Sequence, residues 1–519
     1  MGKFKVNMKA NVLISTAGPG TRMATAYPEI HKSLLPYNGR PILYEIISKV
    51  PKKFLICIIL GYKSEQIKNF LAIMFPDRKF EFVYVDDWTS KNSGTAYSLK
   101  FAIDSVQDTF WYLPCDGVYT QMDFFTIKSP EDLFVVSKIR NNEAKEYLTM
   151  ELKEKRVLSK KFKKKIKKQS TYAFTGVMKI MDKNRFFTKL EKLNAKEFID
   201  VIDTGDLTYI TENWTDLGNL VSYKNNSSTQ VFDFSKNDEF TYEFEKLILK
   251  WWANPAIAQL KMKKPNHMPE AFPKNSIGIG EFYRYDLAKG VTFYDSVNPG
   301  NFQNFLDWMV TKVWKPKNID ITNDLSKFYK EKTISRIKLL ESKLNSEEYN
   351  PISINGVDVK NWRLYFEQIN WDMLINLNCP TFIHGDLQFD NIIHDKKNNK
   401  FILIDWRYEF GNQYLYGDLY YDFAKLLGGI LHNYKLIKNG ELDFQFNKGN
   451  TEIKIPSVQN QEELIKILET TALNINLDLN KIRLLVPLIL WNMAPLHKEP
   501  FSSICWSLGL KYFETYQHD

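Results

Sequence analysis

Apolar residues in the first two hundred positions fall into short blocks separated by amphipathic stretches. Asn11-Val-Leu-Ile14, Phe54 to Leu60, Phe80 to Val85 and Phe110 to Pro114 are apolar runs of strand length, while Pro41 to Ile47, Ser64 to Met74 and Ala96 to Ile103 repeat at helical spacing. Alternation of the two periods predicts a parallel α/β sheet covered on both faces, closing near residue 225. The polar stretch Ser222 to Thr229 then breaks the periodicity as a linker does. Aromatic-rich strands follow between Phe240 and Trp252, and from about residue 300 long apolar-periodic helices dominate. A small sheet followed by helices predicts a two-lobed α+β domain. The expected domains are residues 1–225 and 226–519, the second with a small lobe at about 230–290 and a helical lobe at about 291–519.

Composition narrows the class. With 519 residues, 44% hydrophobic and 25% charged, the chain can bury more than one core, which excludes a disordered tail or a small disulfide scaffold. Cys57, Cys115, Cys379 and Cys505 lie far apart with no Cys-x-x-Cys pair, so neither a structural zinc site nor a disulfide framework is expected, and a reducing cytoplasm fits. The net charge of +9 is concentrated: seven of the nine residues from Lys160 to Lys168 are lysine. Such a run reads as a solvated hairpin or loop, or as a surface for an anionic membrane or nucleic acid. No nucleic-acid-binding motif accompanies it, and no nucleic-acid partner is expected. The N-terminus lacks the pattern of a signal peptide, and Val6 breaks the acylation motif. Leu484 to Trp491, interrupted by Pro487, falls short of the ~20 residues that span a bilayer, so stable membrane insertion is not expected. The oligomeric state stays open.

Candidate chemistry begins after the first strand, where Ser15-Thr16-Ala17-Gly18-Pro19-Gly20-Thr21-Arg22 is followed by His31-Lys32-Ser33-Leu34-Leu35-Pro36. Glycines admit phosphate oxygens to backbone N–H groups, and Arg22 and Lys32 can neutralise a triphosphate. The loop lacks the Gly-Lys-Ser/Thr ending of a Walker P-loop. Ala-Gly-x-Gly-Thr-Arg, then Lys-x-Leu-Leu-Pro, then Gly39-Arg40-Pro41 resembles the nucleotidyltransferase family that includes sugar-1-phosphate nucleotidyltransferases and phosphocholine cytidylyltransferases, over roughly residues 8–225. The resemblance extends to Gly94-Thr95-Ala96, Leu113-Pro-Cys-Asp116 and Trp214-Thr-Asp216-Leu-Gly218. It implies a Rossmann-like fold, a nucleotide held by Ala17, Gly18, Gly20, Thr21, Gly94 and Thr95, and Mg²⁺ held jointly by Asp116 and Asp216. It further implies catalytic roles for Arg22 and Lys32 against the charge that grows as pyrophosphate leaves. His31 is closer to the choline-type members, whereas Gly-Thr-Ala and Trp-x-Asp-x-Gly look like the sugar type, so both substrates stay open. His31 itself reads as a hydrogen-bonding neighbour of the loop. Tyr172 to Val177 resembles the strand that approaches the acceptor, with Glu154-Lys155 as a possible acceptor-binding pair.

A second constellation is Thr381-Phe-Ile-His384-Gly385-Asp386-Leu-Gln-Phe-Asp-Asn391, followed by Phe401-Ile-Leu-Ile-Asp405-Trp406. An Asp five residues before an Asn puts a base and a metal ligand on one short loop, and an Asp ending a nearby strand can reach the same metal, as phosphoryl transfer requires. His-Gly-Asp-x-x-x-x-Asn with Ile-Asp-Trp resembles the aminoglycoside phosphotransferase and choline kinase superfamily, whose fold is related to protein kinases. The resemblance implies ATP as donor, Asp386 as catalytic base, and Asn391 and Asp405 as Mg²⁺ ligands. His384 reads as a buried organiser of the loop, and Asp422, in Tyr421-Asp422-Phe-Ala424, as structural. Lys250 on Leu247 to Trp252 is the expected phosphate-gripping lysine, with Lys246 in reserve, and Phe282 to Asp286 the hinge. Gly278-Ile-Gly280 lacks a third glycine, and Asn254 to Lys264 has no glutamate to pair with Lys250, leaving Glu270 as the candidate.

Together the two constellations predict a bifunctional enzyme. A kinase phosphorylates a small hydroxyl metabolite with ATP, and a nucleotidyltransferase couples the product to a second NTP, CTP or UTP, as for a surface polysaccharide. A choline or ethanolamine kinase with a cytidylyltransferase is one alternative, and a nucleotide-binding sensor without turnover is another. Aromatic residues such as Trp251, Trp252, Tyr420 and Tyr421 could cage a quaternary ammonium but read more simply as core.

Overall fold

The computed structural model describes residues 9–89, 94–140, 144–162, 171–192, 200–211, 213–227 and 238–517. Contacts divide them into two units. The first takes in the described residues up to 227, residues 238–255 and Gly278–Phe282; the second takes in Ala256–Ile277 and the residues from Tyr283 onward.

The first unit is built on a nine-stranded sheet. Its strands are β1 (Ala10–Ser15), β2 (Ile56–Leu60), β3 (Phe80–Tyr84), β4 (Val106–Pro114), β5 (Leu133–Lys138), β6 (Leu148–Lys153), β7 (Arg156–Phe162), β8 (Tyr172–Ile180) and β9 (Leu207–Thr211), in the spatial order β3-β2-β1-β4-β8-β5-β9-β7-β6. From β3 to β4 every pairing is parallel. β8 then enters antiparallel to both β4 and β5, so the expected parallel sheet holds for only half of its width. Helices α1 (Ile42–Ile47), α2 (Ser64–Met74) and α3 (Thr95–Lys100) coincide with the stretches of helical spacing, and α4 (Lys183–Lys192), not foreseen there, follows β8. Two apolar clusters lie on opposite faces: Val12 and Ile14 belong to one, and Leu13 with Cys57 and Ile59 to the other. Central strands buried on both faces read as unbroken apolar runs for this reason.

Two expectations change here. Ser222 to Ser227, expected as linker, belongs to helix α5 (Leu220–Ser227), where Tyr223 is buried and its hydroxyl donates to Pro36 O at 2.9 Å. The hairpin β10 (Glu239–Glu243) and β11 (Leu247–Trp252), expected in a small lobe of the second domain, counts with the first unit. Its Tyr242 is buried and donates to Leu34 O at 2.6 Å, and Phe244 packs edge-on against Tyr44 at 4.6 Å. The lysine run starts on β7 at Lys160, and positions 163–168 lie outside the described residues.

The second unit is mainly helical. The elements used below are α6 (Lys263–His267), α7 (Lys332–Leu339), β12 (Pro380–Phe382), β13 (Ile392–Asp395), β14 (Lys400–Leu403), α8 (Leu419–Leu431), α9 (Leu479–Met493) and α10 (Phe501–Gln517). α8 is apolar on nearly every side and buried accordingly. Beneath its N-terminus Lys481 and Asp418, both fully buried, form an ion pair at 2.7 Å. Lys481 also donates to Leu374 O and Leu377 O, and Asp418 accepts from Cys379 N and the Tyr329 hydroxyl. Removing one partner strands the other charge. Lys481→Met is therefore expected to destabilise this unit by about 3–5 kcal/mol, measurable as a lower denaturant midpoint. Among the described residues no helix is long and apolar enough to cross a membrane.

Candidate functional site

In the first unit the chain leaves β1 at the carboxyl edge of the parallel half-sheet, where open α/β folds collect ligands. Gly20, at φ +58°, opens the short helix Thr21–Ala24, and a Cβ there would lie 2.8 Å from Lys32 Cδ. Glycine is needed for the lysine to pass. A Cβ on Gly18 would meet nothing within 4 Å. Ala17 is buried and its carbonyl accepts from Tyr62 N, while Thr21 and Arg22 are exposed. His31 ties the loop: Nδ1 accepts from Ser33 N, which fixes the proton on Nε2, donated to Thr16 O at 2.9 Å. Burial, with Lys32 nearby, pushes its pKa down to about 3, so His31 is a neutral brace.

Lys32 Nζ lies 2.5 Å from Asp116 Oδ2. Asp116 follows β4 on the same edge, and Asp216 arrives through the short antiparallel pair Gly117–Tyr119 with Trp214–Asp216, in which residue 216 stands opposite 117. Both carboxylates crowd Gly218: a Cβ there would lie 3.0 Å from Asp116 Oδ2 and 3.1 Å from Asp216 Oδ1. Burial works against the Lys32 ammonium, yet Asp116 overrides it and holds its pKa above the usual value. Burial likewise opposes the Asp116 charge, but Lys32 wins and the pKa falls. Asp216 moves the other way, raised by burial and by repulsion from Asp116, while Gly218 N and the Tyr147 hydroxyl bond to it. Two converging carboxylates with unbalanced repulsion suit a hard dication. Among the described residues no group of three or more His, Cys, Asp or Glu could hold a metal, so any ion here would complete its shell with phosphate oxygens and water. A cleft of about 670 Å³ runs from Gly18 and Lys32 to Asp116, with Trp88, Gly94 and Thr95 on its wall. Six of the ten positions expected here, Gly18, Lys32, Gly94, Thr95, Asp116 and Asp216, thus line this cleft or converge on its carboxylate end.

Glu154 and Lys155, at φ +51° and +63°, form the exposed two-residue tip of the β6–β7 hairpin, as such turns require. Gly176, at φ +89°, approaches Pro114, whose Cγ a Cβ would meet at 2.9 Å. Gly218→Ala is expected to push the two carboxylates apart while leaving the core packed. Any nucleotidyl transfer should fall about a hundredfold with little change in melting temperature.

In the second unit the His384–Asn391 loop is built from below. Asp422, on α8, accepts from His384 N at 2.9 Å, Gly385 N at 2.7 Å and Trp314 Nε1 at 3.0 Å. His384 Nδ1 accepts from Asp386 N, so its Nε2 donates to Ile404 O at 2.8 Å, and burial lowers its pKa to about 3. Asn391 Nδ2 donates to Asp386 O at 2.8 Å, and Ile404 N to Asn391 O at 2.9 Å, which sets Asp405 beside Asn391 in the backbone. These bonds tie the Asn391 side chain to the backbone of Asp386, and the backbone of Ile404, next to Asp405, to that of Asn391. Asp386 pairs with Lys425 Nζ at 2.7 Å; burial opposes its charge, but Lys425 and Arg407 hold the pKa down to about 2.

Sequence reasoning missed Lys425 and Lys264. Lys425 is a lone cation on an apolar helix, which is itself a signal. Lys264, buried on α6, donates to Ile383 O at 2.5 Å and His384 O at 3.1 Å, and burial lowers its pKa to about 7. Lys250 is buried on β11 in the first unit. Glu270, expected to pair with it, is exposed and makes no ion pair with a described residue. Gly280, read as part of a phosphate-covering loop, is glycine for another reason: at φ +54° a Cβ would clash with Asn69.

No protein-family model matches the chain. In sequence it is similar to the bifunctional protein GlmU of Methanococcus vannielii, 26% identical over 134 residues, and to that of Methanococcus maripaludis, 24% identical over 220 residues. These alignments take in 26% and 40% of the present chain and span 30% and 51% of the relatives' own lengths. Among solved structures it is similar to CTP:phosphocholine cytidylyltransferase from Streptococcus pneumoniae (16% identity, 42% of this chain and 97% of that one, TM-score 0.34). A UDP-glucose pyrophosphorylase from Acinetobacter baumanii matches 42% of this chain and 92% of its own at 13% identity and a TM-score of 0.36. The N-terminal part of the chain is thus similar in sequence to a third to a half of the length of these GlmU proteins.

Proposed function

We propose that the chain is a bifunctional enzyme in which the first unit is a nucleotidyltransferase and the second a small-molecule kinase. In the first reaction a phosphate oxygen of a phosphorylated metabolite attacks the α-phosphorus of an NTP, the α–β P–O bond breaks, and pyrophosphate leaves. The observation that carries this half is the convergence of Asp116 and Asp216 at Gly218, beside Lys32 and at the end of the cleft. Lys32 and Arg22 offset the charge of the phosphates, and Gly18 leaves room for them at the loop. A Mg²⁺ on Asp116 and Asp216 would polarise the phosphoryl oxygens.

In the second reaction a hydroxyl oxygen attacks the γ-phosphorus of ATP, the bond to ADP breaks, and the hydroxyl proton passes to Asp386. The pairing of Asp386 with Lys425 supports this role, because it keeps the carboxylate ionised and aimed. Asn391 and Asp405 are the residues that would hold Mg²⁺ there. The product of the kinase is the substrate class that the transferase consumes, and tethering would raise its local concentration to about the millimolar range. The test is incubation with ATP plus CTP or UTP over a panel of sugars, polyols and amino alcohols, following ADP and pyrophosphate separately. Release of neither product from any pair would overturn the reading in favour of a nucleotide-binding sensor.

A further inference from the structure

Three cations, Lys425, Arg407 and Lys332, lie near the Asp386 carboxylate, and a fourth, Arg336, lies near Arg407. Lys425 pairs with it directly. Arg407 passes over Gly385, whose missing Cβ would lie 2.8 Å from Arg407 Cβ, and its guanidinium stands 5.2 Å from the Phe328 ring centre. Lys332, at the start of α7, sets its ammonium 3.2 Å from the centre of the same ring and 5.8 Å from that of Tyr421. Arg336 stands one turn further along α7, on the same face. Phe328 thus gathers two cations, and it is held in place by stacking on Phe410 at 3.8 Å.

The chain supplies little charge to balance them. Among the described residues none of Lys332, Arg336 and Arg407 has a carboxylate within salt-bridge distance. The neighbouring acids are committed elsewhere: Asp422 to the backbone of the 384–385 loop, and Asp324 to Asn412 N and the Gln413 amide. Asp386 acts on Lys332 from its loop, and it already has Lys425. The cost appears in the ammonium of Lys332, whose pKa burial pushes well down, with Arg407, Arg336 and Lys425 adding to the effect. Arg336 is lowered in the same sense by burial and Arg407. Holding uncompensated cations together is unfavourable unless an anion arrives to join them.

We infer that the acceptor of the second unit carries an anionic group, a carboxylate or a phosphate, seated on Lys332, Arg336 and Arg407 while its hydroxyl lies against Asp386. The inference rests on the kinase reading and narrows it, since a quaternary ammonium such as choline would meet this cluster at a disadvantage. Arginine forks and a lysine point charge on one anion are the usual means of recognising either group.

Acceptors that differ only in that group test it: glycerol, choline, D-glycerate and glycerol 3-phosphate, each with ATP and the full chain. ADP release and, on the same samples, ligand-observed NMR binding are measured. The anionic members are expected to exceed glycerol and choline at least tenfold in kcat/KM, and comparison of D-glycerate with glycerol 3-phosphate tells carboxylate from phosphate. Lys332→Met and, separately, Arg336→Gln should collapse that ratio through a higher KM for the anionic acceptor. Equal or better use of glycerol or choline overturns the inference, as does an increase in KM for ATP alone, which would assign the cluster to the donor. Should no acceptor turn over, the kinase reading fails, and the binding arm decides the anion site by itself: loss of D-glycerate and glycerol 3-phosphate binding in both variants supports it, and no difference from glycerol sinks it.

Discussion

Replacing Asp386 by Asn is expected to lower phosphoryl transfer from ATP by about 10²–10⁴-fold, the usual worth of a positioned general base, while pyrophosphate release by the first unit, measured with the phosphorylated acceptor supplied, stays at its wild-type rate. The variant keeps the size of the side chain and loses only the charge that Lys425 and Arg407 stabilise. The pH profile gives an independent check. Because the folded pKa of Asp386 is depressed to about 2, the carboxylate is ionised at all higher pH, and the kinase profile should show no acid limb from it between pH 4 and 6. Lys425→Met removes the chief cause of that depression, so an acid limb should move up into the accessible range. An Asp386→Asn enzyme that phosphorylates its acceptor at the wild-type rate would remove this residue from the chemistry.

Asp216→Asn is expected to lower nucleotidyl transfer by about 10²–10³-fold or more and to leave ATP-dependent phosphorylation intact. Asp216 is the less comfortable of the two converging carboxylates, with its pKa raised by burial and by Asp116. Neutralising it relieves that repulsion, so the folded protein should be no less stable, and it also removes one of the two oxygen donors available to a dication. A melting temperature that does not fall while turnover does separates a functional pair from a structural one. Titration with Mg²⁺ should show a higher concentration for half-maximal rate in the variant.

The two halves of the chain were unequally legible from residue order. The parallel half-sheet and its helices could be read because buried central strands and amphipathic helices have different periods, and Ser64–Met74 appears as predicted. The antiparallel entry of β8 could not, since Tyr172–Ile180 is equally apolar in either direction. α5 was hidden by polarity: Ser222, Asn225 and Asn226 are poor helix formers, and burial of Tyr223 decides the matter. At the sites, Lys32, Asp116, Asp216 and Asp386 were visible because they sit in ordered motifs. Lys332 and Arg407 were not, because they come from separate elements and meet only around Phe328.

The hairpin β10–β11 carries a consequence for where the first unit can be cut. Tyr242 holds the carbonyl of Leu34, two residues from Lys32, and Phe244 covers Tyr44. A truncation after residue 225 would strip these aromatics from the floor beneath Lys32 and leave a sticky apolar scar. A fragment extended to residue 255 would retain that floor.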